Sequence, residues 1–316
     1  MSKVNIYDRL EDRANEARLK KETADKKIFI NQVDTFQAEQ FSLFEETIVP
    51  GNEFPTLMAR LPIFPAMDRE KQKNMMDKDN ALVFNTVYGE GRRHGPPVNT
   101  DDEDRLLALM RLRSKKFVGD ASQLPIPQNI IGNSKTSVHY TTCTVGEINA
   151  EMGLSRGGPN YHYTVECLKR LAAVSIEITT KKHDRYFGEN ERGTNYKLVD
   201  MMWNLYNERG IIKVQFPEII ARWLEQEQTY INWNQRQQLK SRNVKALHRY
   251  LSTQGKYHER SLDSLIAVIG WEGQKRRIKS SFEKMLDELV EIGFLESYNL
   301  EQRKKRMPLT LKITKR

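Results

Sequence analysis

The sequence predicts an α+β fold: two consecutive units of helices closed by a β-hairpin, behind a mostly helical N-terminal extension. Three observations carry this. From residue 81 the pattern of apolar residues reads strand, helix, strand, helix, turn, helix, hairpin. After residue 235 a related order returns, as helix, helix, longer helix, hairpin. The length of 316 residues holds two domains on the usual prior of about 100–200 residues each. The halves share no evident identity, so the repeat is one of architecture and not of sequence.

Taken in order, residues 1–57 form the extension. Its first part, 5–28, is charged with weak helical periodicity (Ile6, Leu10, Ala14, Leu19), the mark of a frayed or partner-dependent helix. Phe29, Val33, Phe36, Phe41 and Phe44 then fall near one face, a stripe that needs cover from the main domain or from another protein. The proline-rich passage 50-PGNEFPTLMARLPIFPAMD-68 is an ordered linker.

The first unit spans 58–233. ALVFNTVYGE (81–90) is strand-like and HGPPVN a turn. TDDEDRLLALMRLRSKK (100–116) is a helix capped by Thr100 or Asp101, with acids in its first turn and Arg111, Arg113 and Lys115 near its end, as the macrodipole favours. TSVHYTTCTV (136–145) is a strand, TVGEINAEMG (144–153) a short helix, and LSRGGPN a turn. A longer helix, about 160–173, buries Tyr161, Val165, Leu168 and Ala172. VSIEITT (174–180) and TNYKLVDMMWNLY (194–206) make a hairpin around a polar loop, followed by IIKVQF (211–216) and a short helix near EIIARWLEQ. The second unit, 234–316, holds helices at 235–254, within HERSLDSLIAVIGW, and at 273–293, then a hairpin of FLESYNL and LTLKITKR around EQRKKRMP. A helix-turn-helix followed by a hairpin is the winged-helix arrangement, whose second helix enters a DNA groove while the hairpin loop lies over the backbone.

Charge supports a polyanionic partner. Residues 1–80 carry 13 Lys and Arg against 15 Asp and Glu, whereas 235–316 carry 19 against 9, a net of +10. A local excess of that size attracts nucleic acid through counterion release. Within 274–292, Lys275, Arg276, Arg277 and Lys279 crowd the helix start beside Ser280, and Asp287, Glu288 and Glu291 crowd its end. This runs against the macrodipole and suits a helix whose N-terminal part meets DNA. Arg303, Lys304, Lys305 and Arg306 occupy the following hairpin loop, where phosphates would lie. In the first unit Arg156, Asn160, His162 and Tyr163 open the helix, with Lys169 and Arg170 later in it. Arg and Asn can make bidentate contacts to base edges, while His162 serves equally as packing. Lys181, Lys182, His183, Arg185 and Arg192 in the next loop are placed to hold phosphates.

Nothing in the sequence asks for catalysis. The six histidines, His94, His139, His162, His183, His248 and His258, include no His-x-His pair, which a tyrosine nickase commonly uses to place its metal. No phosphate-binding GxxxxGK[ST] loop exists. Asp101, Asp102, Glu103 and Asp104 are explained as cap and dipole chemistry at a helix start, and Cys143 and Cys167 as small buried side chains. No metal and no cofactor is expected. The apolar fraction of 38%, the mean hydropathy of −0.68 and the absence of an apolar run or leader segment point to a soluble, cytoplasmic chain without membrane contact.

The passage MARLPIFPA (58–66), the helix DDEDRLLALMRL, the run VHYTTCTVGEINAEMGLSRGGPNYHYTVECLKRLAAVSIEI and the C-terminal NVKALHRYLST, SLDSLIAVIGW and RRIKSSFEKMLDELVEIGFLESYNL together resemble plasmid replication initiator (Rep) proteins over about residues 58–314. The resemblance implies tandem winged-helix units that bind directly repeated origin sequences (iterons) in double-stranded DNA. It also implies opening of an adjacent AT-rich segment and recruitment of the host helicase and host initiator. A homodimer is a further expectation. Two other classes stay open: a winged-helix transcriptional regulator, and a nicking initiator using Tyr161 or Tyr163.

Overall fold

The computed structural model describes residues 52–75, 82–119, 126–130, 134–180, 193–204, 211–217, 219–220, 223–224, 227–271, 277–302 and 308–316. The chain divides after Ile48, and every described residue belongs to the unit Val49–Arg316. The aromatic stripe Phe29–Phe44 lies outside the described residues.

The unit opens with β1 (Glu53–Pro55) and α1 (Thr56–Arg60). These residues were expected in the extension or linker, but β1 pairs antiparallel with β10 (Gln228–Tyr230), and Phe54 is fully buried. The folded unit therefore begins before residue 58. Next come α2 (Arg69–Met75), the hairpin β2 (Leu82–Asn85) and β3 (Gly89–His94), and the central helix α3 (Thr100–Gly119). Residues 100–110 of α3 are buried on every side. Its apolar positions Leu106, Leu107, Leu109 and Met110 lie in the core, and the acids Asp101, Asp102, Glu103 and Asp104 near its start are buried too.

Strands β4 (Ile126–Ile130) and β5 (Ser134–Thr144) lead to α4 (Val145–Glu151) and α5 (Pro159–Ala173). Then follow β6 (Ser175–Thr180), β7 (Gly193–Lys197), β8 (Asp200–Asn204) and β9 (Ile211–Phe216). They form two four-stranded sheets of order β2-β3-β6-β7 and β4-β5-β9-β8. Strict alternation in β6 and β9 turns Ile176, Ile178, Ile212, Val214 and Phe216 inward, as half-buried antiparallel strands require. The expected hairpin strand 194–206 is two strands: buried Leu198 and Val199 interrupt it, and β7 and β8 join different sheets. Strand β3 crosses β6 closely at Gly91. A Cβ there would collide with the Glu177 carbonyl oxygen and come within 2.9 Å of the Phe84 ring. Gly91→Ala is therefore expected to cost about 1–3 kcal/mol, the usual cost of overpacking, read as a lowered urea midpoint with unchanged m-value.

The last part comprises α6 (Trp233–Gln238), α7 (Arg242–Ser252), β11 (Tyr257–Ser261), α8 (Leu262–Ile269), α9 (Ile278–Glu291), β12 (Leu295–Glu301) and β13 (Thr310–Lys315). The expected continuous helix 235–254 is broken at Leu239–Ser241, with Asn232 capping α6 through its bond from Gln235 N–H. The three strands order as β11-β13-β12. One buried cluster runs from Phe54 to Trp233 and a second from Leu239 to Ile313. Both contain a short helix, a longer helix and a hairpin in succession. They differ in where the preceding strand goes: β11 joins its hairpin, whereas β5 pairs with β9.

Candidate nucleic-acid interface

In the first cluster, α4 is closed by a capping box in which Thr144 accepts from Glu147 N–H and Glu147 accepts from Thr144 N–H. The turn to α5 uses Gly153 at φ 68° and Gly158 at φ 63°, left-handed positions that glycine takes without a Cβ penalty. Pro159 then sits at the first helical position. Around this turn Arg156 and His162 are exposed and Asn160 is half-buried, its Nδ2 donating to Ser155 Oγ at 2.9 Å. His162 meets the Tyr161 ring edge-on at 5.8 Å. Lys169 is exposed further along α5. The buried face is Thr164, Cys167, Leu168, Arg170 and Leu171, with Tyr161, Val165 and Ala172 only partly covered. The core side is thus turned from the expected stripe.

Two of the residues expected at DNA are engaged within the protein. Arg170 is 7% exposed, and its Nε and Nη2 donate to Asp102 Oδ1 at 3.0 and 2.8 Å. Tyr163 is half-buried, its hydroxyl donating to Asp101 Oδ2 at 2.8 Å, with the Arg69 guanidinium 3.8 Å from its ring centroid. Burial, with Cys167 and Asp101 nearby, raises the Tyr163 hydroxyl's pKa and keeps it protonated. Both side chains are held by acids of α3.

In the second cluster, Ser261 caps α8 and Gly270 ends it at φ 64°. Exposed Arg277 occupies the N-cap position of α9, where its carbonyl accepts from Ser280 Oγ at 3.1 Å. Lys279 is exposed and lies 3.7 Å from Glu283. Phe282, Met285, Leu286 and Leu289 form the buried face, with Ile278 and Ile292 packed at its margin. The acids at the helix end have local partners: Asp287 accepts from Tyr298 Oη at 2.6 Å and Glu288 from Lys240 N–H at 2.7 Å. Those bonds offset part of the macrodipole cost, so recognition need not account for the acidic end. Lys181, Lys182, His183, Arg185, Arg192, Lys275, Arg276 and Arg303–Arg306 lie outside the described residues.

The strongest electrostatic feature was not anticipated. The acids of α3, expected to be simple cap and dipole residues, form a buried ionic cluster. Glu103, fully buried, accepts from Arg236 Nη2 at 2.9 Å and Arg249 Nη1 at 3.1 Å. Asp104 accepts from Arg236 Nε at 2.7 Å and Lys245 Nζ at 2.5 Å. Asp101 accepts from Arg242 Nη2 at 2.8 Å and from Arg69 Nε at 3.1 Å. Burial alone would raise the Asp101 carboxyl's pKa. Hydrogen bonds and charge from Arg242, with Tyr163 and Arg69, hold it well below the usual carboxylate range. Four of the 19 cations in 235–316 are therefore neutralised within the chain. The signal was present as Arg242, Lys245 and Arg249, at i, i+3 and i+7 of one helix face.

Among the described residues, no three His, Cys, Asp or Glu side chains gather to hold a metal, and no helix is long and apolar enough to cross a membrane. No family model and no curated protein matches the chain. Among solved structures, it is similar to domains 2 and 3 of RctB (TM-score 0.51, 12% identity, 83% of this chain and 98% of that one). A second structure of RctB domains 2–3 matches with TM-score 0.46, 10% identity and 75% and 91% coverage. A Pi initiator protein solved in complex with iteron DNA matches with TM-score 0.43, 11% identity and 68% and 95% coverage. At these identities the likeness is one of fold.

Proposed function

We propose that this chain is a plasmid replication initiator that binds repeated origin sequences through two winged-helix units and has no catalytic step of its own. The observation that carries this is the pairing of two like sites. Each unit presents exposed hydrogen-bonding or cationic groups at the start of its longer helix: Arg156 and His162 beside half-buried Asn160 at α5, and Arg277, Lys279 and Ser280 at α9. Each such helix is followed directly by a hairpin whose connecting segment carries cations in sequence: Lys181, Lys182, Arg185 and Arg192 among three acids in the first, and the uninterrupted Arg303–Arg306 in the second. Helix starts of this kind suit base edges, and basic hairpin tips suit phosphates. Origin opening and recruitment of a host helicase and host initiator are what the sequence resemblance implies, and homodimer formation is a separate expectation.

Footprinting on the cognate origin tests the proposal: several in-phase protected repeats are expected, whereas one protected promoter palindrome would make the chain a regulator. Arg277→Ala, and equally Lys275→Ala or Arg276→Ala, is expected to lower the slope of log affinity against log salt by about one for each phosphate no longer neutralised. An unchanged slope would remove α9 from the interface. Incubation with labelled origin DNA and magnesium is expected to leave no covalent adduct. An adduct abolished by Tyr161→Phe or Tyr163→Phe would replace the proposal with nicking chemistry.

A further inference from the structure

We infer that the four consecutive acids Asp101–Asp104 are positioning residues that fix the separation and angle of the two DNA-facing helices, so that the chain reads two contacted DNA segments at one spacing. The inference rests on the function proposed above. Successive residues of a helix point about 100° apart, so four adjacent carboxylates on a buried turn face different neighbours. Asp101 and Asp102 hold Tyr163 and Arg170 of α5, the DNA-facing helix of the first unit. Glu103 and Asp104 hold Arg236 of α6 and Arg249 and Lys245 of α7. Helix α7 in turn packs on α9, the DNA-facing helix of the second unit. One rigid turn of α3 thus joins both helices.

The chemistry of the joint matters as much as its place. Apolar faces tolerate sliding, but charge-assisted bonds to guanidinium groups are directional and lose most of their strength when displaced. Asp101 completes the path by holding α5 through Tyr163 and α7 through Arg242 with the same carboxylate. A separate link stands beside the ionic turn: the hydroxyls of Tyr88 and Tyr250 lie 3.2 Å apart across the two clusters, and the Arg260 guanidinium donates to both.

The test uses the full chain and a duplex selected from a random-sequence pool by the wild-type protein. About five base pairs, half a helical turn, are then inserted between the two protected segments. For the wild type, linked engagement is broken and affinity is expected to fall about 100-fold. Arg242 and Lys245 are partly exposed (side chains 29% and 19%), so Arg242→Gln/Lys245→Gln keeps the fold. This double variant is expected to bind the parent duplex more weakly, with the insertion penalty reduced to below about tenfold and the salt slope unchanged. Arg242→Lys/Lys245→Arg is expected to restore the penalty. A variant that is folded by circular dichroism and still shows the full wild-type penalty overturns the inference while leaving the DNA-reading function intact. A wild-type selection that yields no duplex with two protected segments overturns that function, and the inference with it.

Discussion

Glu103→Ala is expected to lower the stability of the folded unit by about 3–5 kcal/mol, the range for removing one partner of a buried ion pair. Glu103 is fully buried between Arg236, 1% exposed in its side chain, and Arg249, 0%. Deleting the carboxylate takes a charged partner from two guanidinium groups that cannot reach water and strands that of Arg249. Arg236 retains Asp104, but among the described residues Arg249 keeps only the Phe64 carbonyl, at 3.1 Å. The Arg249 pKa is already below its ordinary value, chiefly from burial, with Arg236 adding to the effect and Glu103 opposing it. The network is also incompletely bonded: Glu103 Oε1 and Arg249 Nε and Nη2 have no partner among the described residues. Replacing both members by apolar groups, as in Glu103→Leu/Arg249→Met, is therefore expected to recover most of the loss, because no charge is then left unpaired. Urea denaturation of the three proteins checks this. A double variant no more stable than Glu103→Ala would mean the loss comes from packing and not from unpaired charge.

What was legible in the sequence divides along the range of the forces involved. The strand at 211–216 and the helices α4 and α5 announce themselves through local signals: strict alternation, a closing glycine, a glycine-proline turn. Helix α3 is legible from its acidic start, but its cap is Asn99, whose Oδ1 accepts from the Asp101 and Asp102 N–H groups, and not the expected Thr100 or Asp101. Two breaks carry no such signal. Leu198 and Val199 look like the middle of one strand, and only their full burial and the bond from Leu198 N–H to the Val174 carbonyl show a chain changing sheets. At Leu239–Ser241 no proline or glycine marks the end of α6, and Leu239 is buried in the second cluster. For the site, Arg156, His162, Lys169, Arg277 and Lys279 are exposed, whereas Tyr163 is half-buried and Arg170 buried. Their fate is decided by carboxylates 62 and 68 residues away. The α3 acids meet cations 132–146 residues distant, so a run that reads as cap chemistry becomes the joint of the unit. Local patterns report which face a helix buries. They do not report what that face meets.

Acidification from pH 7.5 to pH 5 is expected to destabilise the chain well before its carboxylates titrate, and His248 to carry much of that loss. Its side chain is fully buried on α7, its ring centroid lies 4.5 Å from that of Phe294, and neither ring nitrogen has a partner among the described residues. Burial, then the charges of Arg236 and Lys315, pull its pKa down to about 3. An unfolded histidine titrates near 6.5, so between those values the unfolded chain binds a proton that the folded chain refuses. Stability therefore falls as pH falls, by about 1.4 kcal/mol per pH unit below 6.5 for this residue. His258 is lowered to about 3 by burial and Arg260 and adds to the same slope. Asp101 acts elsewhere: with its pKa depressed, its contribution is complete above the unfolded carboxylate value near 3.9 and is lost only as pH drops through its lower folded value. The histidine window is thus separate from the carboxylate window. Urea midpoints at pH 7.5, 6.5, 5.5 and 5.0 should show the decline, and His248→Phe should flatten it by about 1.4 kcal/mol per pH unit below 6.5, whatever its effect on stability at neutral pH. An equal slope in the variant would mean that His248 takes up a proton in the folded chain, which the surrounding Arg236, Lys315 and Phe294 make costly.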